Sequence, residues 1–455
     1  MAVEIKCKLL DENGMGEFYL NKRKAFCFNL LPGEKALVEM DRHHVRLVSI
    51  TESSKDRVVF KCPHFTKCGG CQLSMMTYQK ECEFKTEKIK KLFPDVKVSP
   101  ILGAKTIEHY RNKTIATFAR GSKGKVIAGQ YELHSHRVLD ASKCVFQSRL
   151  ANNIVDSCTK LMEKYKIAPY DEDKKTGYLR HVLIRTTTEN KALVCLVVSK
   201  ADFPERKKFF GELKKLHPEI ETIVTNINSR STSVVLGEKE MISYGEGFVD
   251  DVLCSKTFRI SSTTFYQIHH DQTEVLYQKA IDLAELKGNE RILDAYCGIG
   301  TISMIVSDHV KEAVGVEINK SSVRNAIMNA KMNQISNCRY IAEDCTSYML
   351  KAAAQKEHFD VVFMDPAREG STPEFLNALA SLKPEKIVYI SCNPETQKRD
   401  VQILKKKGYK ICAVQPVDMF PRTVHVESVV CLSREKAADY IRISVHTKDL
   451  HAKAN

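Results

Sequence analysis

The residues best suited to chemistry close an apolar run: Ile387-Val388-Tyr389-Ile390 reads as a buried strand that ends in Ser391-Cys392-Asn393-Pro394. A thiol at a strand end faces a crevice, so Cys392 is a candidate nucleophile. Glu427, in Val424-His425-Val426-Glu427-Ser428, follows on a later predicted strand and is a candidate general base. Upstream lies a glycine loop. Thiol, carboxylate and ligand loop would then meet at one end of one sheet, a trio suited to covalent catalysis followed by proton removal. Taken alone, Cys392 reads better as a small buried hydrophobe; its neighbours and Glu427 reverse that balance.

The loop is Asp294-Ala295-Tyr296-Cys297-Gly298-Ile299-Gly300-Thr301. Gly298 and Gly300 let the backbone approach a ligand closely, although a glycine pair by itself also describes a tight turn with no ligand. The loop departs from a dinucleotide fingerprint, because Ser303 stands where a third glycine or alanine would seat the helix and Asp294 would repel a pyrophosphate. An ammonium group would be attracted instead. Glu317, at the end of the next predicted strand, can accept hydrogen bonds from two ribose hydroxyls, and Asp344 is placed to meet an adenine amino group. Together these favour S-adenosylmethionine. Asp365-Pro366-Ala367-Arg368 ends another strand and places Asp365 toward the same crevice; an isolated Asp-Pro is only a turn.

A second constellation is Cys62-Pro63-His64-Phe65-Thr66-Lys67-Cys68-Gly69-Gly70-Cys71, with Cys144 in Ser142-Lys143-Cys144-Val145 as a fourth thiolate. Its glycines allow the loop to wrap a metal centre. Four cysteines suit either a [4Fe-4S] cluster or zinc.

The elements that must hold these groups follow from length and pattern. With 455 residues, about three domains are expected, and 43% hydrophobic residues supply apolar material for their cores. A formal net charge of +14 favours a polyanionic partner, most simply nucleic acid. No apolar run is long enough to span a bilayer and the N-terminus lacks a signal-peptide core, so a cytoplasmic protein without membrane association is expected. Sixteen cysteines in a reducing compartment are then metal ligands, catalysts or small core residues; Cys7, Cys27, Cys158, Cys195, Cys254, Cys338 and Cys412 are assigned to cores.

Residues 1–58 show short alternating segments broken by Asn13-Gly14 and Leu31-Pro32-Gly33, the pattern of a small β-barrel. Lys22, Arg23, Lys24, Arg42 and Arg46 on it would contact phosphates or form an ordinary solvated face. Residues 59–261 form a mostly β central region, within which Tyr78–Leu92 has the spacing of an amphipathic helix with a solvated charged face. Residues 262–435 alternate helices with apolar strands, the signature of a doubly wound α/β sheet. Residues 436–455 are a charged tail with no assigned function.

The ordered set Asp294 to Gly300, Asp365-Pro366-Ala367-Arg368, Ser391-Cys392-Asn393-Pro394 and His425-Val426-Glu427 resembles the RNA uracil-C5 methyltransferases of the RlmD/TrmA type. Phe265-Tyr266-Gln267, Tyr178-Leu179-Arg180-His181 and Asn226-Ile227-Asn228 extend the resemblance across roughly residues 59 to 433, and Arg111-Asn112-Lys113 resembles a family segment facing RNA or the cofactor domain.

The resemblance implies a multidomain fold: an α/β Rossmann-like class I methyltransferase domain, an N-terminal OB-like (TRAM) β-barrel and a mostly β central domain carrying the cysteines and binding RNA. It implies that Cys392, with a lowered pKa, adds to uracil C6, that the C5 carbon takes the methyl group of S-adenosylmethionine, and that Glu427 removes the C5 proton. Gln267, Tyr296, Glu317 and Asp365 would surround the cofactor. Because the family's cluster-bearing branch shows this cysteine spacing, the resemblance implies a [4Fe-4S] centre and a flipped or unpaired uridine of 23S rRNA as substrate, giving 5-methyluridine in a monomer with no obligate protein partner. Transfer-RNA uracil methylation and a non-catalytic RNA-binding ribosome assembly factor are the alternatives. Two departures stand out: His269-His270 where the family often has an asparagine, and Ala367 for a second proline.

Overall fold

Apolar residues that alternate between two opposite cores can only belong to a sheet covered on both faces. Ile292, Ala313, Phe363 and Val388 enter one apolar cluster, while their chain neighbours Leu293, Val314, Val362 and Ile387 enter another. The computed structural model, which describes residues 2–40, 45–231 and 233–434, turns that alternation into a seven-stranded sheet. Its order is Cys338–Ala342, Glu312–Glu317, Arg291–Ala295, Val361–Met364, Lys386–Ser391, Glu427–Arg434, Tyr409–Val417. The first five are parallel, and Glu427–Arg434 runs antiparallel to both of its neighbours. This is the α/β Rossmann-like domain expected from the sequence. Its strand order reverses beside Arg291–Ala295, opening a crevice beyond the carboxyl ends of the strands.

The helices between these strands start on local caps. Asn319 Oδ1 accepts from the Ser321 and Ser322 amides, Asp344 Oδ1 from Ser347 N at 2.9 Å, and Thr372 Oγ1 from Phe375 N at 3.1 Å. Pro394 opens the helix Pro394–Lys406 directly after Cys392-Asn393, where a missing N–H costs nothing.

Before this domain lie two β-rich regions. Residues 2–52 form two three-stranded sheets, Ala2–Lys6, Lys35–Met40, Val45–Glu52 and Leu9–Leu10, Gly16–Leu20, Arg23–Cys27, around Phe18, Leu30, Ala36 and Val38. Buried Glu34 ties this region together, accepting from Leu31 N and Ser54 N and pairing bidentately with Arg57. Lys22 and Arg23 are exposed, while Lys24 and Arg46 pair with Glu17 and Glu39; Arg42 and residues 435–455 lie outside the described residues. A second seven-stranded sheet, Lys239–Tyr244, Ile220–Ile227, Ala192–Val198, Leu179–Thr186, Lys113–Arg120, Val126–Tyr131, Val138–Asp140, carries the helices Arg149–Lys164 and Arg206–Leu216 on one face. Its other face contributes Leu183, Leu193, Cys195 and Val224 to the same cluster as Phe258, Leu276 and Ile292.

Two expectations are corrected here. Tyr78–Leu92 is a helix with Glu83, Glu87, Lys90 and Lys91 exposed on its charged face, but Glu81 and Lys85 depart from that face and are fully buried, with Lys85 Nζ 2.7 Å from Glu81 Oε1 and 2.6 Å from Asp418 Oδ1. The chain after it bridges to the sheet edge at Val98–Val414 and Leu102–Val417. Among the scattered cysteines, Cys7, Cys27, Cys158 and Cys195 are buried and Cys254 and Cys338 partly so, whereas Cys412 is exposed on the outermost strand. No helix among the described residues is long and apolar enough to cross a membrane.

Candidate active site

The glycine loop leaves the strand Arg291–Ala295 in a conformation its residues select. Tyr296, Gly298 and Gly300 all have positive φ, at 65°, 55° and 79°. A Cβ on Gly300 would lie 2.6 Å from Tyr340 Oη, so only glycine fits there, while one on Gly298 would meet nothing within 4 Å. Gly298 therefore borders open space. Its amide donates to Glu317 Oε2 at 3.2 Å and Asn319 N donates to Glu317 Oε1 at 2.8 Å, which fixes the Glu317 carboxylate beside the loop. Asp294 lies under the loop, 1% exposed, with Oδ2 accepting from Ser303 N at 2.9 Å and Oδ1 without any partner. Tyr296 packs on Phe375 and shares a 3.1 Å contact between hydroxyls with Ser371. Asp344, spent on its helix cap, is exposed at the rim.

Cys392 and Glu427 come together through strand register. Ser391 pairs with Ser428 as the last rung between two antiparallel strands, so the next residues outward are Cys392 on one and Glu427 on the other. Asp365 follows the strand Val361–Met364 on the adjoining side. Burial, then the Glu427 and Asp365 carboxylates, push the Cys392 thiol up to about 12, against the pull of Arg368. The lowered thiol pKa expected from the sequence is therefore corrected for the free protein, since burial and then the neighbouring carboxyl groups outweigh the single nearby cation. Burial and Asp365 hold the Glu427 carboxyl well above the usual carboxylate range, Arg368 opposing. Asp365 is raised to about 7 by burial and Asp294, and Asp294 to about 7 by burial, which its bonds to Ser303 offset only in part. A crevice of crowded carboxyl groups with an orphaned acceptor is a receptor for a cationic ligand.

The loop carrying Asp365 and Arg368 is pinned from the cysteine side: Asn393 Nδ2 and Thr396 Oγ1 donate to Arg368 O, and Ser371 N donates to Asp400 Oδ2, which also accepts from Tyr389 Oη. Gln267 reaches the site from the other side. Asn112 clamps its segment, donating Nδ2 to Gln267 O at 2.9 Å and its amide to Ile268 O at 2.9 Å. Tyr266 beside it is buried against Asp251, while Phe265 stays 70% exposed. His269 and His270 lie at the start of the helix His270–Ala284; His269 stacks on Tyr110 and contacts Thr106 O at 2.8 Å.

One residue not singled out from the sequence belongs here. Tyr277, buried on that helix, interacts with Gln267 and faces Asp365, Asp294 and Glu427. The Tyr178 to His181 and Asn226 to Asn228 segments serve the central region instead: buried Arg180 donates to Asn228 O, Arg230 O and Glu172.

Cys62, Cys68, Cys71 and Cys144 line one cavity of about 540 Å³ together with Arg111 and Phe60. Burial first, and then the other three thiols, push Cys71 up to about 12, with Ser74 opposing; Cys68 likewise feels Cys144 and Cys62. Among the described residues no group of three or more His, Cys, Asp or Glu stands in a geometry that would hold a metal ion.

A family model described as tRNA (uracil-5-)-methyltransferase matches residues 77–435. An uncharacterized RNA methyltransferase of Halalkalibacterium halodurans is 34% identical over 443 residues, covering 95% of this chain and 96% of the relative. Another, of Oceanobacillus iheyensis, is 36% identical over 437 residues, covering 93% and 95%. The crystal structure of Pyrococcus abyssi tRNA (uracil-54, C5)-methyltransferase in complex with S-adenosyl-L-homocysteine superposes with a TM-score of 0.78 at 24% identity, over 95% of this chain and 100% of that one, and so shares its fold.

Proposed function

As this chain belongs to the tRNA (uracil-5-)-methyltransferase family and is an RNA uracil-C5 methyltransferase, we propose that it methylates a uracil C5 in 23S rRNA, with S-adenosylmethionine as donor and a [4Fe-4S] cluster on Cys62, Cys68, Cys71 and Cys144. The observation that carries this reading is the emergence of Cys392 and Glu427, side by side, from the last rung of one ladder into a crevice lined by Asp365 and Asp294. The residues suit a cationic donor. Asp294 Oδ1 lacks a partner, Gly298 borders open space, and Glu317 is held by two backbone amides next to it. When bound, S-adenosylmethionine supplies an electrophilic methyl group and a positive charge.

The chain's own groups do the rest. Neutralising the anionic surroundings of Cys392 favours its thiolate. Sγ adds to uracil C6, which makes C5 nucleophilic enough to take the methyl group. Glu427, raised in pKa and desolvated, then takes the C5 proton, and Sγ leaves C6. Asp365 and Gln267, on opposite walls, orient the two substrates.

The cluster and the ribosomal target are supported by the convergence of four thiols and the Arg111 cation on one cavity, and by the cysteine spacing. The test is tritium release from 23S rRNA and from transfer RNA labelled at uracil C5, with and without S-adenosylmethionine, comparing wild type with Cys392→Ala. Release from 23S rRNA that needs both cofactor and Cys392 supports the reading. Release from transfer RNA alone moves the substrate, and release from neither leaves a binding factor. Four irons per anaerobically purified chain support the cluster, and one zinc in colourless protein overturns it.

A further inference from the structure

The turn that delivers Glu427 to the crevice is built on partners from far away in the chain. Between the strands Tyr409–Val417 and Glu427–Arg434, Asp418 N donates to Leu102 O at 3.0 Å, and Phe420 O accepts from Lys85 Nζ at 3.1 Å. Pro421 O accepts from Tyr110 Oη at 3.1 Å, Arg422 N donates to Glu81 Oε1 at 2.6 Å, and Arg422 O accepts from Leu73 N at 3.0 Å. Arg422 itself takes φ +70°, a left-handed conformation that closes the turn. Each of these partners lies between residues 73 and 102 or at Tyr110, next to Arg111 of the cysteine cavity.

Gln72 joins the turn to the cysteine loop with a single side chain. Its Nε2 donates to Gly69 O at 2.7 Å, between Cys68 and Cys71, while its Oε1 accepts from Val424 N at 3.4 Å, three residues ahead of Glu427. Cys392, by contrast, is held by its own strand and by the helix Pro394–Lys406, with no partner in the cysteine loop. Cys392 and Glu427 share the Ser391–Ser428 rung, and what the base has in addition is the hydrogen-bonded tie of its preceding turn to the cysteine loop. A displacement of about 1 Å in a reacting group costs up to about a hundredfold in rate, so loosening that tie slows the step that needs the base.

We propose that Gln72 is a positioning residue for Glu427, transmitting the order of the cysteine loop to the base. This deepens the function proposed above and rests on it. Loss of the Gln72 bridge slows removal of the C5 proton while leaving thiol addition and methyl transfer intact. The enzyme then stalls as a methylated adduct.

The experiment uses the full chain in single turnover on the C5-tritiated RNA, 23S or transfer, that wild type accepts, scoring methyl incorporation, tritium release and denaturation-resistant adduct. Gln72→Met is expected to incorporate methyl groups within about twofold of wild type but to release tritium about tenfold more slowly, with adduct accumulating. Gln72→Glu keeps an acceptor for Val424 N but loses the donor to Gly69 O, so its tritium release is expected to stay slow relative to methyl incorporation; full release by this variant would show that the Gly69 half of the bridge does not matter. Tritium release that keeps pace with methylation in Gln72→Met overturns the proposal.

Amide exchange across residues 418–426 tests it without turnover, so that failure of the proposed reaction is told apart. Gln72→Met and Cys71→Ser should each raise exchange there, and the double variant should add nothing beyond either. Unchanged protection, or fully additive effects, would refute the coupling.

Discussion

A thiol whose pKa lies at about 12 supplies almost no thiolate at neutral pH, so Cys392 depends on what else enters the crevice. Substituting it with alanine should abolish both tritium release and covalent adduct, read by gel retardation of denatured protein. Glu427→Gln should instead trap methylated adduct, because addition precedes the step that needs the carboxylate; normal turnover by that variant would remove Glu427 from the mechanism. The paired aspartates give a pH prediction with a definite sign. Asp365 and Asp294 are raised to about 7 in the free protein, and a cation beside them favours their ionised forms. S-adenosylmethionine binding should therefore release protons near pH 7 and weaken as pH falls below it, measured by calorimetry in two buffers of different ionisation enthalpy. The same shift acts on folding: the stability these groups lend is full below about pH 4 and lost as pH rises through about 7. Asp294→Asn should accordingly raise the Tm of the ligand-free protein at pH 8, leave it little changed at pH 4, and lose cofactor binding.

At the scale of elements, the helix Tyr78–Leu92 is a brace for the methyltransferase sheet. Its buried Lys85 binds Glu81 and Asp418, and Tyr78 Oη donates to Asp418 Oδ2 at 2.7 Å. Removing the cation leaves two buried carboxylates facing each other, so Lys85→Met should destabilise the protein by about 3–5 kcal/mol, measured by denaturant unfolding. A cost near zero would mean that water reaches the triad. The turn between Arg291–Ala295 and Thr301–Val306 has a similar dependence on one residue. Gly300→Ala forces both a positive φ and a 2.6 Å approach to Tyr340, which should abolish cofactor binding while the other domains stay folded.

For the whole molecule, a net charge of +14 predicts RNA binding that is strongly salt dependent. The logarithm of the association constant should fall with the logarithm of salt concentration at a slope of about −0.7 per single-strand phosphate contacted, hence at about −3.5 if five contacts form. A slope near zero would show that the charge is not what holds RNA. The central sheet is joined to the α/β domain at the segment that carries Gln267. Arg185 on its strand Leu179–Thr186 donates to Thr264 O and Asn112 beside its strand Lys113–Arg120 clamps Gln267, so the surface between β-rich and α/β regions forms one wall of the crevice.

Apolar strands alternating with helices were enough to identify the α/β sheet, and strand-ending motifs located the glycine loop and placed Cys392 and Glu427 at adjacent strand ends. Such features are local: a strand's period and the residue that closes it are written within about ten positions. The burial of Glu81 and Lys85 on Tyr78–Leu92 and the raised pKa of Cys392 were missed for the opposite reason. Lys85 is held in the interior by Glu81 and by Asp418, which lies 2.6 Å away and 333 positions along the chain, and the Cys392 thiol is raised by burial and then by the Glu427 and Asp365 carboxyls from other parts of the sheet. Tyr277 carries no motif and enters the site through the way its helix packs. Burial, electrostatics and strand pairing are sums over neighbours that sequence order does not reveal, so the α/β domain and the residues at its strand ends were legible in the chain, while their mutual placement and tuning were decided by the tertiary structure.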